Sequence, residues 1–308
     1  MHSRTKSLLE IHIAVFLFGA AGLFGKLLSL DATLIVLGRT FFATIALGLF
    51  LLVGRPQLRS IVPGKVGMLL LLGLLLAGHW WTFFYSIQVS TVAIGLLAFS
   101  SFPLFTAILE PLMEKTRIVL ADLAIAGIVV LGLIIVVPEF SLSNSATLGV
   151  FWGMMSGLSF ALLQILNRRY MRYFTPTDLS LGQMCFAFFA LLMVSDIEAV
   201  FNLTGYEILL LLVLGIFCTA LAHTLFLNGL QYVRAQLASV IAGLEPVYGI
   251  LLGVLLLGEL PTIRTIVGGV VILAAVIAGS LRPEPAKSMN PDEGITDYRR
   301  KMIRTCLL

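Results

Sequence analysis

Long apolar runs, separated by short joints rich in Gly, Pro or charge, recur ten times along this chain, at 9–28, 32–53, 66–88, 91–113, 119–137, 147–167, 178–198, 206–231, 235–257 and 262–281. Crossing a bilayer core as a helix takes about 20 apolar residues, the length of these runs. A membrane barrel would instead alternate apolar and polar residues with a period of two. Continuous apolar runs therefore predict helices, which satisfy their own backbone hydrogen bonds in lipid.

The runs also repeat. Ser86–Val89 reads S-I-Q-V and Gly229–Tyr232 reads G-L-Q-Y, and each copy runs through a small and apolar stretch into a proline, Pro103 or Pro246. Gln88 to Gln231 is 143 residues, as is Pro103 to Pro246. The halves are read as residues 8–137 and 147–281, with a polar tail over 282–308 that holds three prolines and a basic cluster. That composition predicts a disordered cytoplasmic tail touching anionic lipid. Five spans per half is an odd number, so the second copy enters the membrane upside down relative to the first. An inverted duplication of this kind is above all the architecture of alternating-access carriers.

Composition agrees. The chain of 308 residues is 59% hydrophobic and 12% charged, about half the charge of an ordinary soluble domain. The first run is read as a span and not as a cleaved signal peptide, because it is about 20 residues long and nine more follow. Basic residues (Arg4, Lys6, Arg55, Arg59, Lys65, Lys115, Arg117, Arg168, Arg169, Arg172, Arg234 and the tail) collect on one side, and the loops of the other hold only Arg264 as a clear case. Acidic Asp31, Glu139, Glu198, Glu207 and Glu259 collect on the other. The positive-inside rule then puts both termini in the cytoplasm of a cell (inner) membrane protein. The net charge of +4 is explained by these loops and calls for no nucleic-acid partner. Cys185, Cys218 and Cys306 form no motif, and neither a metal site nor another cofactor is expected.

The candidate chemistry is the set of polar residues inside the runs. Arg39 lies about 10 Å below one surface at 1.5 Å per residue, where an unpaired Arg costs about 2.5–3.5 kcal/mol. It should face the bundle, as a clamp for a substrate carboxylate or phosphate or as a donor pinning helices. Lys26, nearer the interface, is expected to snorkel. His79, Trp80, Trp81, Thr82, Phe83, Phe84 and Tyr85 follow one another, deeper than an aromatic belt. They suggest either one wall of a substrate cavity or lipid-facing packing, and His79, Thr82 and Ser86 share a helical stripe taken as the cavity side. Span 8 offers His223, and separately Thr224, Asn228 and Gln231 on a stripe; Tyr248 follows in span 9. A midplane histidine can carry a proton or bridge neutral groups. Glu245 and Pro246 combine a deep carboxylate with a residue that loosens the helix, a gate or proton site, or else a protonated acid bonded to a freed carbonyl. Pro103 is the matching gate candidate. Glu110–Pro111 looks similar but lies near a span end. The Gly149, Gly153, Gly157 series and the Gly249, Gly253 pair let helices approach, within one chain or between two. Candidate proton carriers are thus Glu245 and His79, and the expected partners are a small-molecule substrate and the bilayer, for a monomer or homodimer.

These residues also resemble a known group. Leu17-Phe18-Gly19 with Lys26, Gly38-Arg39-Thr40-Phe41-Phe42, and above all Leu244-Glu245-Pro246-Val247-Tyr248 followed by Leu256-Leu257-Gly258-Glu259-Leu260-Pro261-Thr262 are similar to the motifs of EamA-type proteins of the drug/metabolite transporter superfamily. Phe18 stands where that pattern usually has Trp, and the first copy keeps only Pro103 and Glu114-Lys115-Thr116. The resemblance implies an all-α membrane protein: ten transmembrane helices as two inverted five-helix repeats around a central cavity. It implies a carrier that exports amino acids, other metabolites or drugs, by proton exchange or facilitated diffusion. No G-x-x-x-x-G-K-[ST] run supports an ATP-driven pump, and no catalytic set in the spans supports an intramembrane enzyme. A multidrug or nucleotide-type carrier of the same superfamily and a non-transporting membrane scaffold are the alternatives, and the buried Arg39, Glu245 and two histidines count against the scaffold.

Overall fold

The computed structural model describes residues 4–54, 65–115, 119–139, 141, 143–170, 173–230 and 241–281. The tail, Gln231, Arg234 and the basic residues Arg55, Arg59, Arg117 and Arg172 lie outside the described residues. In chain order the helices are α1 (Arg4–Ala21), α2 (Phe24–Leu27), α3 (Ala32–Gly54), α4 (Val66–Val89), α5 (Val92–Phe99), α6 (Phe102–Glu114), α7 (Leu120–Val136) and α8 (Ser145–Tyr170). They continue with α9 (Pro176–Leu192), α10 (Ile197–Phe201), α11 (Gly205–Gly215), a π-helical stretch at Ile216–Leu221, α12 (Ala222–Leu230), α13 (Glu245–Leu252), a second π-helical stretch at Gly253–Leu257, and α14 (Ile263–Ser280). Six helical segments are long and apolar enough to cross a membrane, and four shorter apolar helices accompany them. The chain is a multi-pass membrane protein.

Small polar residues start the helices. Asp31 Oδ1 accepts from Thr33 and Leu34 N–H, and Asn144 Oδ1 from Ala146 and Thr147. Thr91, Thr175, Thr204 and Thr262 do the same for α5, α9, α11 and α14, and Thr204 with Glu207 closes a capping box. The seventh span is shorter than its apolar run. It ends at Leu192, and Asp196 caps the separate helix α10, because a side-chain acceptor there starts a new helix more readily than it continues an old one.

The packing exchanges elements between repeats. The first helix of each half lies on the third and fourth spans of the other: α1 on α12 and α13, α8 on α4, α5 and α6. The second spans meet each other (α3 with α9), as do the fifth (α7 with α14). Swapping the halves maps this list onto itself, which is the contact pattern of two repeats related by a pseudo-twofold axis. Glycine makes the closest crossings possible. A Cβ on Gly153 would lie 2.4 Å from the Ala98 side chain, and one on Gly268 2.6 Å from the Gly132 carbonyl. The Gly149, Gly153 and Gly157 series thus serves packing of α8 on α5 and α6 inside one chain.

The fourth span of each half is broken. α5 ends at Phe99, Ser100 and Ser101 turn, and α6 restarts with Pro103 in its first turn. In the second half Gly243 and Leu244 turn, and α13 restarts with Pro246 in its first turn. A proline is at home in a first turn, where its missing N–H has no partner to lose. Broken spans in matching positions of two inverted halves are a recurrent feature of carriers, usually flanking the transported solute.

Candidate functional site

The second-repeat break and the middles of the second, third and eighth spans converge on Arg39. Its side chain is 2% exposed. Nε donates to Thr219 Oγ1 at 3.1 Å, and the guanidinium carbon lies 3.8 Å from the Trp80 ring centroid and 5.4 Å from that of Phe84. A desolvated cation over an aromatic face gains about 2 kcal/mol, which offsets much of the burial cost. Thr219 reaches Arg39 because it sits in the π-helical stretch, where its hydroxyl donates to the Leu214 carbonyl five residues back. Such insertions shift side chains round the helix and concentrate at functional sites.

Arg39 is within electrostatic reach of Glu245, His79, His223 and Cys218. Glu245 makes no direct ion pair or hydrogen bond among the described residues, and the Nη1 and Nη2 groups of Arg39 have no hydrogen-bond partner there. Buried polar groups without a partner at membrane depth are costly, so each calls for a physical account. Trp80 and His223 are 143 residues apart, hence repeat counterparts, and their rings meet with centroids 5.9 Å apart. Counterparts touch only near the axis relating the halves, so the site lies on that axis. Phe18 adds its edge to His223 at 5.1 Å from the first span. The ring at the position where the resembling motifs carry Trp is therefore part of this cluster.

His79 is held separately. Its Nδ1 pairs with Ser156 Oγ at 2.8 Å, and Phe99 and Phe160 stand 5.3 and 4.9 Å from its ring. That aromatic box and Ser156 tie α4 to α8. Ser86, on the same stripe, donates to the Gly149 carbonyl at 2.6 Å, another α4–α8 tie, while Thr82 Oγ1 donates back to its own helix at Gly78. Trp81 and Tyr85 turn away from Arg39. They stack on each other at 5.2 Å, meet Trp152 edge-on, and Trp81 Nε1 donates to Thr33 beside a groove of about 280 Å³. The consecutive aromatic run thus divides: Trp80 and Phe84 face the guanidinium, while Trp81 and Tyr85 face another seam.

Three further candidates lie elsewhere. Asn228 is exposed, Thr224 Oγ1 donates to the Ala220 carbonyl, and Tyr248 packs edge-on against Phe16. Glu110 pairs with Arg168 at 2.8 Å. Lys26 does not snorkel: its Nζ donates to the Ser90 carbonyl at 2.7 Å and to that of Gln88 at 3.3 Å. Those carbonyls end α4 and lack helical partners, so they outcompete bulk water for the ammonium. Trp80, Thr219 and Ser156 were not picked out as site residues from the sequence. The depth of the aromatic run already included Trp80, and the 143-residue offset that pairs it with His223 is the signal that separates it from Trp81. Among the described residues no group of three His, Cys, Asp or Glu side chains is placed to hold a metal.

A polytopic bundle with an inverted duplication, broken fourth spans and an ionisable cluster on its axis is the architecture of a membrane transporter. The chain matches the EamA-like transporter family over residues 5–137 and 147–280, and it belongs to that family. It is 27% identical over 269 residues to an uncharacterised transporter of Archaeoglobus fulgidus, covering 87% of this chain and 93% of that one. It is 26% identical over 294 residues to the uncharacterised inner membrane transporter YicL of Salmonella typhimurium, covering 91% and 97%. A crystal structure of 18% sequence identity superposes with a TM-score of 0.63 over 91% of this chain and all of the other, a likeness of fold.

Proposed function

We propose that this chain is a secondary carrier that exports small amphipathic metabolites, amino acids or related compounds, across an inner membrane with both termini in the cytoplasm. Arg39 receives the solute's anionic group, and Trp80 with its neighbouring rings receives the apolar part. Glu245 carries the exchanged proton, and the breaks before Pro103 and Pro246 are the hinges of alternating access. One observation carries this reading: a guanidinium buried on the axis between the halves, with terminal donors that no described residue accepts from and a carboxylate within electrostatic reach. A packing role would leave those donors paired. The test is counterflow in proteoliposomes over a panel of zwitterionic and anionic metabolites. At least one solute should move faster than in protein-free vesicles, and its flux should respond to a pH gradient. Glu245→Gln should remove that response. Equal flux with and without protein over the whole panel would leave the scaffold reading, and a persistent pH response in the variant would assign the proton elsewhere.

A further inference from the structure

The joint between α4 and α5, residues 88–92, is gripped by opposite charges from the two halves. On one side Lys26 of the first repeat donates to the carbonyls of Gln88 and Ser90, at the carbonyl-rich end of α4. On the other, Glu259 of the second repeat accepts from Val92 N–H at 2.9 Å, at the amide-rich start of α5. A cation on a helix C-terminus and an anion on a helix N-terminus each complement the local dipole. Both contacts are partly shielded from solvent, where charge-assisted hydrogen bonds are strongest. Gln88 extends the grip by donating to the Leu30 carbonyl at 2.7 Å.

Glu259 is delivered by a specific backbone event. The π-helical stretch Gly253–Leu257 ends at Gly258 in the left-handed region (φ 67°), and Glu259 N–H returns to the Gly253 carbonyl at 3.2 Å. That reversal turns the carboxylate toward α5. Helix α5 in turn runs from this joint to the break at Ser100–Ser101, about 12 Å along its axis at 1.5 Å per residue. It lies against α13, where a Cβ on Gly249 would meet the Leu96 side chain at 2.2 Å. The latch therefore holds one end of a lever whose other end is the first-repeat hinge.

In the sequence, the 143-residue offset matches Lys26 with Arg169 and Glu259 with Thr116, the latter outside the described residues. The cation is kept in kind and the anion is replaced by a neutral residue.

We infer that Lys26 and Glu259 form a two-sided latch, one jaw from each repeat, that keeps the transport path shut at their end of the bundle and makes the carrier rest open toward the other. This inference rests on the carrier reading above. The experiment uses native Cys218, buried beside Arg39, as a reporter after Cys185→Ser and Cys306→Ser. A membrane-impermeant maleimide is applied to intact cells and to inverted vesicles of the full chain. With the latch intact, labelling should be faster from the side opposite Lys26. Lys26→Met and Glu259→Gln should each speed labelling from the Lys26 side about tenfold, equivalent to about 1.4 kcal/mol. Lys26→Arg should keep the slow rate, whereas a purely packing role for the lysine stem would be served as well by Met. Equal labelling from the two sides in the latch-intact protein overturns the latch, and that measurement needs no latch variant to fold. Labelling that stays one-sided in well-folded Lys26→Met and Glu259→Gln also overturns it while leaving the carrier reading in place. Labelling of Cys218 from neither side in any variant, under conditions that label the denatured chain fully, overturns the latch, and the carrier reading is then decided by the flux assay.

Discussion

In the first repeat the fourth span breaks at Ser100–Ser101 and restarts at Phe102–Pro103; 143 residues later the second turns at Gly243–Leu244 and restarts at Glu245–Pro246. The next helix ends match too. Lys115 and Gly258 are the two positive-φ residues among those described, at 55° and 67°, and they are also 143 apart. The backbone events are the same and the side chains are not. Phe102 sits among Phe99 and Phe160, with centroids 5.5 and 5.2 Å away, whereas its counterpart Glu245 lies within reach of Arg39. The counterpart of Arg39 is Gly182, and that of His223 is Trp80. The breaks are shared, while the divergent side chains put aromatic rings at one and the ionisable groups at the other.

Arg39→Ala should break the comparison hardest. Loss of a charge-assisted contact to the solute predicts a flux lower by about a hundredfold, or about 2.7 kcal/mol. At the counterpart, Gly182→Ala meets only the flexible end of Leu69 and should keep flux within about twofold. Proteoliposome transport with matched protein density checks both. A smaller effect is expected at the first-helix crossings. Gly153→Val forces α8 off α5 and should cost about 1–3 kcal/mol, read as a lower Tm in detergent. Gly19→Ala presses on the Glu245 carbonyl at 2.7 Å and should lower flux as well as Tm, because it displaces the second hinge. Equal flux loss in the two would show that neither crossing is tied to the site. The smallest effects concern the matched turns. A left-handed non-glycine residue stores about 1 kcal/mol, so Lys115→Gly should raise stability by about that amount. Gly258→Ala, with open space around its Cβ position, should lower it by about 1 kcal/mol through backbone strain alone. A Lys115→Gly variant that melts below the parent would deny the equivalence of the turns.

Much of this was readable from residue order, for reasons that differ by residue. Apolar runs of membrane length predicted the spans because lipid leaves the backbone no other way to satisfy itself. Arg39 had to face inward because the penalty for facing lipid exceeds any local preference. Pro103 and Pro246 were legible as places where the span loosens because proline lacks an N–H, and the structure shows each in the first turn of a restarted helix, where that N–H has no partner to lose. Choosing between Trp80 and Trp81 was a different problem. When a helix is apolar all round, periodicity no longer distinguishes its faces.

The sequence alone therefore determined what is set by the cost of transfer into lipid and by local backbone chemistry: the apolar helical spans, the duplication, the prolines that loosen the fourth spans, and the need for Arg39 to face inward. Only the tertiary structure decided who meets whom. It placed Trp80 under Arg39, brought Thr219 round on a π-helical turn, sent Lys26 to the end of α4, and aimed Glu259 across the repeats at α5. Each of those depends on helix rotation and on contacts between residues far apart in the chain, and the energies that choose among rotations come from packing and pairing partners that no single segment contains.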